Sequence, residues 1–140
     1  MTRFVIGPDV ALRLAAERRT GGTHQLLAPT LIRSQMLTEL YGAVRRGDLA
    51  RKDAERRLDH VRSLRLRLLG DRVLQRNAWE IAEQLSWPDT HTAEYLALTR
   101  LQADAFVTLD GELAAAAQGV VPVAPYEALG WNAASRRPVD

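Results

Sequence analysis

The side chains best placed for chemistry are carboxylates that follow hydrophobic runs. Arg3-Phe-Val-Ile6 is a short candidate strand, and Gly7-Pro8-Asp9 follows at once. Asp104-Ala-Phe-Val-Thr-Leu-Asp110 is a candidate buried strand that closes on an acid. Charge is unevenly spread along the chain. From Arg45 to Arg76 there are eleven Lys/Arg against five Asp/Glu, a local net of +6. From Asn77 to Gly130 one Arg stands against eight acids, a local net of −7. An acidic pocket for metal beside a basic surface for phosphates is the charge pattern of a nuclease. Two solvated helix faces would carry the same runs, so charge alone leaves both readings open.

Other chemistries find little support. The chain has no cysteine, which removes thiolate catalysis, thiolate metal sites and disulfides. His24, His60 and His91 share no metal-ligand spacing and are expected at the surface. No glycine-rich phosphate loop of the GxGxxG or GxxxxGK type is present. Trp79 and Trp87 are expected in the core or a dimer contact rather than as base-stacking platforms. No apolar run approaches the roughly 20 residues of a spanning helix. The opening MTRFVIGPDVALRL is charged too early for a signal peptide, so a cytoplasmic location is expected.

The elements that must position these residues follow from periodicity. A helix is expected from Asp9 to about Arg19, and a second strand over Gln25-Leu-Leu-Ala28, broken by Pro29. From Thr30 to Arg46 the apolar residues Leu31, Ile32, Met36, Leu37, Leu40, Tyr41 and Val44 keep helical spacing. Gly47 should end that helix and Asp48 cap the next, over Leu49–Leu64, with an Asp53–Arg57 pair at i, i+4. Leu64–Leu69 alternates like a short strand or extended connector. Asp71 should cap a helix through Leu85 with Val73, Leu74, Ala78, Ile81 and Leu85 inward. Helices are also expected over Thr92–Leu101 and Glu112–Gln118, and a last strand, an edge because of Pro122, over Val120-Val-Pro-Val123. Strands alternating with helices imply an α/β domain with a mostly parallel sheet covered on both faces. Ligands bind such sheets beyond the carboxyl ends of the strands, which selects Gly7–Asp9 and Asp110. Residues 3–130 form one domain by this reading, and 131–140 a loose tail.

The stretch Glu94-Tyr-Leu-Ala-Leu-Thr-Arg-Leu-Gln-Ala-Asp104-Ala-Phe-Val-Thr-Leu-Asp110, followed by a short helix, resembles the PIN-domain ribonucleases. The first strand, Ala28-Pro-Thr-Leu-Ile-Arg-Ser-Gln35 and Val120-Val-Pro-Val123 with Glu127-Ala-Leu fall in the same order, so the resemblance spans about residues 3–130. It implies a three-layer α/β/α fold with a short sheet. It also implies a Mg²⁺- or Mn²⁺-dependent endoribonuclease, commonly the toxin of a toxin–antitoxin pair (the VapC type). RNA, a small antitoxin protein and a second copy of the chain are the partners so implied. In that family acidic side chains hold the ions that activate water and stabilise charge on the scissile phosphate.

Carried over by position, the family's four acids fall on Gly7, Gln35, Thr92 and Asp110. Only Asp110 is a carboxylate, so the acidic site is degenerate. Asp9 lies two residues past Gly7, Glu39 one turn past Gln35, and Asp89 three before Thr92, each a candidate substitute. The expected catalytic residues are therefore Asp110 and Asp9, with Asp89 as a third metal ligand. Gln35, Glu39, Thr92 and Thr108 should line the pocket. Glu94 sits about 200° round the helix from Thr92 and should point elsewhere, unless another register makes it a ligand. Asp104 stands at the wrong end of its strand and is a turn residue. Each acid has a structural alternative as a helix cap. Arg45, Arg46, Arg51, Lys52, Arg56 and Arg57 are the candidate phosphate contacts, with pairing to nearby acids the competing role for half of them.

Overall fold

Three short apolar runs give way to Gly7, to Pro29 and to Thr108-Leu-Asp110, and each of them forms a strand. The computed structural model describes residues 2–130; the expected tail lies outside them. In chain order the elements are β1 (Arg3–Ile6), α1 (Pro8–Ala16), β2 (Gln25–Pro29), α2 (Ile32–Arg45) and α3 (Arg51–Ser63). There follow β3 (Arg67–Leu69), α4 (Arg72–Leu85), α5 (His91–Gln102), β4 (Ala105–Val107) and α6 (Gly111–Gln118), then a 3₁₀ turn over Tyr126–Leu129. The strands make one sheet in the order β3-β2-β1-β4, and every pairing is parallel. Right-handed crossovers in that order place α1–α3 on one face and α4–α5 on the other. The contacts agree: α3 packs on α1 and α2, while α5 lies against α4 and against β1, β2 and β4. This is a three-layer α/β/α domain.

The core runs through the sheet. Val5, Ile6, Val107 and Phe106 are buried to within 1% of complete, as are Leu96, Ala97 and Leu98 of α5. A helix apolar on most sides must be buried on most sides, and α5 meets that demand by crossing the middle of the sheet. The buried Thr99 hydroxyl donates to the Tyr95 carbonyl at 2.8 Å.

Several expectations need correction. Helix α2 buries the stripe Ile32, Met36 and Leu40, so Leu37 and Tyr41, one step round the helix, are exposed. By the same geometry α4 buries Leu74, Ala78, Ile81 and Ala82 and leaves Val73 and Trp79 in solvent. Trp79 is therefore not a core residue, whereas Trp87 does pack against the core. Asp48 does not cap α3, whose N-cap is Ala50; it pairs with Arg46 instead. Asp53 receives Arg56 at 2.6 Å rather than Arg57, because i+3 is as near on a helix as i+4. The Val120–Val123 segment forms no strand, only a single parallel bridge from Val123 to Phe106. Pro122 lends its carbonyl to Phe106 N at 2.9 Å but has no N–H with which to extend a ladder.

Two histidines expected at the surface are half-buried structural groups. His24 Nδ1 accepts from Thr2 N at 3.3 Å and its ring meets Phe4 edge-on. His60 Nε2 donates to the Arg19 carbonyl at 2.7 Å, which joins α3 to the end of α1. The 3₁₀ turn is tied to the same end. Tyr126 Oη donates to Glu17 Oε1 at 2.9 Å, and the Arg13 guanidinium lies 4.5 Å from the Tyr126 ring centroid. Burial, then the bonded Glu17 carboxylate, push the Tyr126 hydroxyl well above its ordinary range, so it remains a donor. Tyr126→Phe is expected to cost about 1 kcal/mol in urea unfolding, with the ring stacking retained.

Candidate functional site

A parallel sheet ends all its strands on one side, and the loops beyond them meet there. Gly7 N extends the β1–β4 ladder by donating to Val107 O at 3.2 Å, so Gly7 stands beside Thr108. Pro8 then starts α1, and Asp9 turns its carboxylate back over Gly7. A Cβ on Gly7 would lie 2.7 Å from Asp9 Oδ1. The substitute acid thus occupies the space into which a side chain at position 7 would project.

That carboxylate is already engaged. Asp9 Oδ1 accepts from Val10 N at 2.8 Å. Its Oδ2 accepts from Thr108 Oγ1 at 3.0 Å and from Leu109 N at 2.9 Å, across about a hundred residues of chain. Thr108 Oγ1 in turn accepts from Asp110 N at 3.2 Å. Asp110 is the N-cap of α6, its Oδ1 accepting from Glu112 N and Leu113 N at 3.0 and 3.1 Å. Its Oδ2 accepts no hydrogen bond from the described residues.

Asp9, Gln35, Thr92, Thr108 and Asp110 come together around a cavity of about 150 Å³, with Tyr95, Phe106 and Leu113 completing it. A wider cleft of about 350 Å³ adjoins it through Thr92, Asp110 and Leu113, and Asp89 and Trp87 line that one. Asp89 is spent as a turn cap, Oδ1 accepting from His91 N at 3.1 Å. Tyr95 is the residue that sequence reasoning missed. Its hydroxyl donates to Gln35 Oε1 at 2.5 Å. Burial first, then the Asp9 and Glu94 charges, push this phenol well above its ordinary range. It stays protonated and holds the Gln35 carbonyl oxygen. The available signal was its place three residues after Thr92, on the same helix face.

One expected residue is not in the pocket. Glu39 is exposed and lines a different depression, with Arg13, Arg46, Asp48 and Arg57. Helix α2 runs away from the strand ends, and one turn carries Glu39 about 5 Å farther off. Glu94 lines neither cleft. It is half-buried on another side of α5, where desolvation raises its carboxyl above the ordinary 4.5 and the His91 charge partly opposes this. Asp104, as expected, stands at the far end of β4 and accepts from Arg3 N at 2.8 Å.

The donor set does not fit Mg²⁺ or Mn²⁺. Hard divalent ions need several oxygens with free lone pairs and enough negative charge to offset their own. Among the described residues no three His, Asp or Glu side chains are grouped closely enough to share an ion. Asp9 is triply bonded, and Gln35 is neutral and held by Tyr95.

Nor does the basic surface border the acidic site. Helix α1 starts beside Asp9 and runs back along the sheet for nine residues, about 13 Å. The arginines at its end, and those of α2's last turn, belong to the opposite side of the domain. Of the six candidate phosphate contacts, Arg46, Arg51 and Arg56 pair with Asp48, Glu55 and Asp53. Arg45, Lys52 and Arg57 make no ion pair among the described residues.

No family model matches this chain, and no curated protein does. Among solved structures it is similar to PAE2754 from Pyrobaculum aerophilum, with a TM-score of 0.76 and 22% sequence identity. The likeness covers 96% of this chain and 97% of that one. It shows the fold. No helix of the described residues is long and apolar enough to cross a membrane.

Gly7→Ala is expected to cost about 1–3 kcal/mol, because the new methyl meets a carboxylate that three hydrogen bonds hold in place. In an Asp9→Ala background the same change should cost much less, and a double-mutant cycle in urea measures the difference. The raised Glu94 carboxyl sets a pH dependence. Its proton is bound more tightly folded than unfolded, so it contributes stability below about pH 4.5 that is lost as pH rises through the folded value. Glu94→Gln should therefore be the more stable protein at pH 7, and the gap should close in melts at lower pH.

Proposed function

We propose that this chain is a PIN-type domain that binds RNA without cutting it, the nuclease site having been converted into a structural one. The observation that carries this is the internal bonding of the pocket. Where the resemblance implies ligand acids, Gly7 is covered by Asp9, whose oxygens are taken by Thr108, Leu109 and Val10, and Gln35 is taken by Tyr95. Hydrolysis by the family's route needs ions that these groups do not suit. Attraction to phosphates needs only unpaired cations, and Arg45, Lys52 and Arg57 supply them. The cavity carries the charges of Asp9 and Asp110 and repels a phosphodiester, so the RNA lies on the α1–α3 side. A cytoplasmic location fits this reading, and the resemblance supplies a small antitoxin and a second copy of the chain as further partners.

Isothermal calorimetry with MnCl₂ is expected to show no binding to the wild type. The double variant Gln35→Glu, Thr92→Asp, which puts acids back at two ligand positions, should gain a Mn²⁺ site. Labelled RNA should bind at low salt with EDTA present and remain uncut. Cleavage that needs Mn²⁺ and is lost in Asp110→Asn would overturn the proposal and establish the metal-dependent ribonuclease instead.

A further inference from the structure

We infer that a depression at the C-terminal end of α1, far from the acidic pocket, seats a phosphate of the RNA backbone, with Arg18 and Arg57 as its ligands. This rests on the RNA-binding reading above and gives it a place. The depression holds about 300 Å³, the volume of about ten waters. Ala15 and Ala16 line it from α1, Arg18 from the turn that follows, and Asp53, Arg56, Arg57 and His60 from α3.

Its cations are not equivalent. Arg56 is neutralised by Asp53 at 2.6 Å. Neither Arg18 nor Arg57 has a carboxylate within 4.0 Å among the described residues. Two guanidinium groups lining one depression repel each other until an anion lies between them, and a phosphate accepts hydrogen bonds from both. Arg57 also lines the neighbouring depression with Arg13 and Arg46, both of which are already paired, so it stands where the two meet.

The backbone at Arg18 points the same way. Arg18 has φ of +56°, just past the end of α1, where Arg18 N donates to Ala15 O and Arg19 N to Leu14 O. Glycine is the usual residue at such a helix end because it has no Cβ to strain. An arginine there carries a conformational cost that stability alone would remove. The frame is also rigid across the depression: the His60–Arg19 hydrogen bond fixes α3 against the turn that carries Arg18.

The test is fluorescence anisotropy of a fluorescein-labelled oligouridine, in EDTA, over a series of KCl concentrations. Wild type is compared with Arg18→Gly, Arg57→Gln and Arg76→Gln, the last removing the same charge from α4. Arg18→Gly and Arg57→Gln should each weaken binding and flatten the plot of log K against log salt by about 0.7, one phosphate contact on a single strand. Arg76→Gln should leave the slope unchanged. Arg18→Gly should also raise the urea midpoint, which separates lost contact from lost folding. Slopes unchanged in both variants, or reduced equally by Arg76→Gln, would overturn the phosphate seat while leaving RNA binding intact. Absence of RNA binding by the wild type at low salt would overturn the RNA-binding reading and the seat with it.

Discussion

The register of β1 against β4 controls the whole carboxyl end of the sheet. With Ile6 opposite Val107, the turn after β1 must lie beside the turn after β4, and Asp9 can reach both Thr108 and Leu109. The carboxylate closes a contact between chain segments about a hundred residues apart, and it also accepts from Val10 N in the first turn of α1. Thr108 passes the connection on to Asp110, whose other role is to cap α6. A side chain at position 7 would break this arrangement at its first step, since Asp9 already fills the space. Structure and metal binding here compete for the same lone pairs, and the observed hydrogen bonds give them to structure.

Tyr95 extends the same logic to the floor of the pocket. Helix α5 is buried along most of its length because it crosses three strands, and a buried phenol needs an acceptor. Gln35, arriving on the first turns of α2, provides it. The result is a polar cavity whose groups mostly satisfy one another, leaving one oxygen of Asp110 open to solvent.

The separation of charges follows from the length of a helix. Nine residues of α1 put about 13 Å between the Asp9 end and the Arg18 end, more than a Debye length of about 8 Å at physiological salt. The two surfaces therefore act almost independently on a polyanion. On the RNA-binding reading proposed above, a strand held on Arg18 and Arg57 is not delivered to the acids, in contrast to the adjacent surfaces that the charge runs suggested.

By itself the sequence determined the order of the elements as far as α6, a mostly parallel sheet and the side of that sheet on which a site must form. Those properties depend on periodicity, turn residues and the stop of each apolar run, all of which are local. It also singled out Gln35, Thr92, Thr108, Asp9 and Asp110, which the fold brings around one cavity because each lies just past a strand or on a helix that begins there. Which atoms those side chains bond, and therefore that Asp9 and Gln35 are engaged, depended on contacts across 60 to 100 residues. So did the outward rotation of Leu37, Tyr41 and Val73, because a broad apolar stripe leaves open which part of it meets the core. The distance between the acids and the bases was likewise invisible in the order of residues, because only the direction of α1 along the sheet sets it.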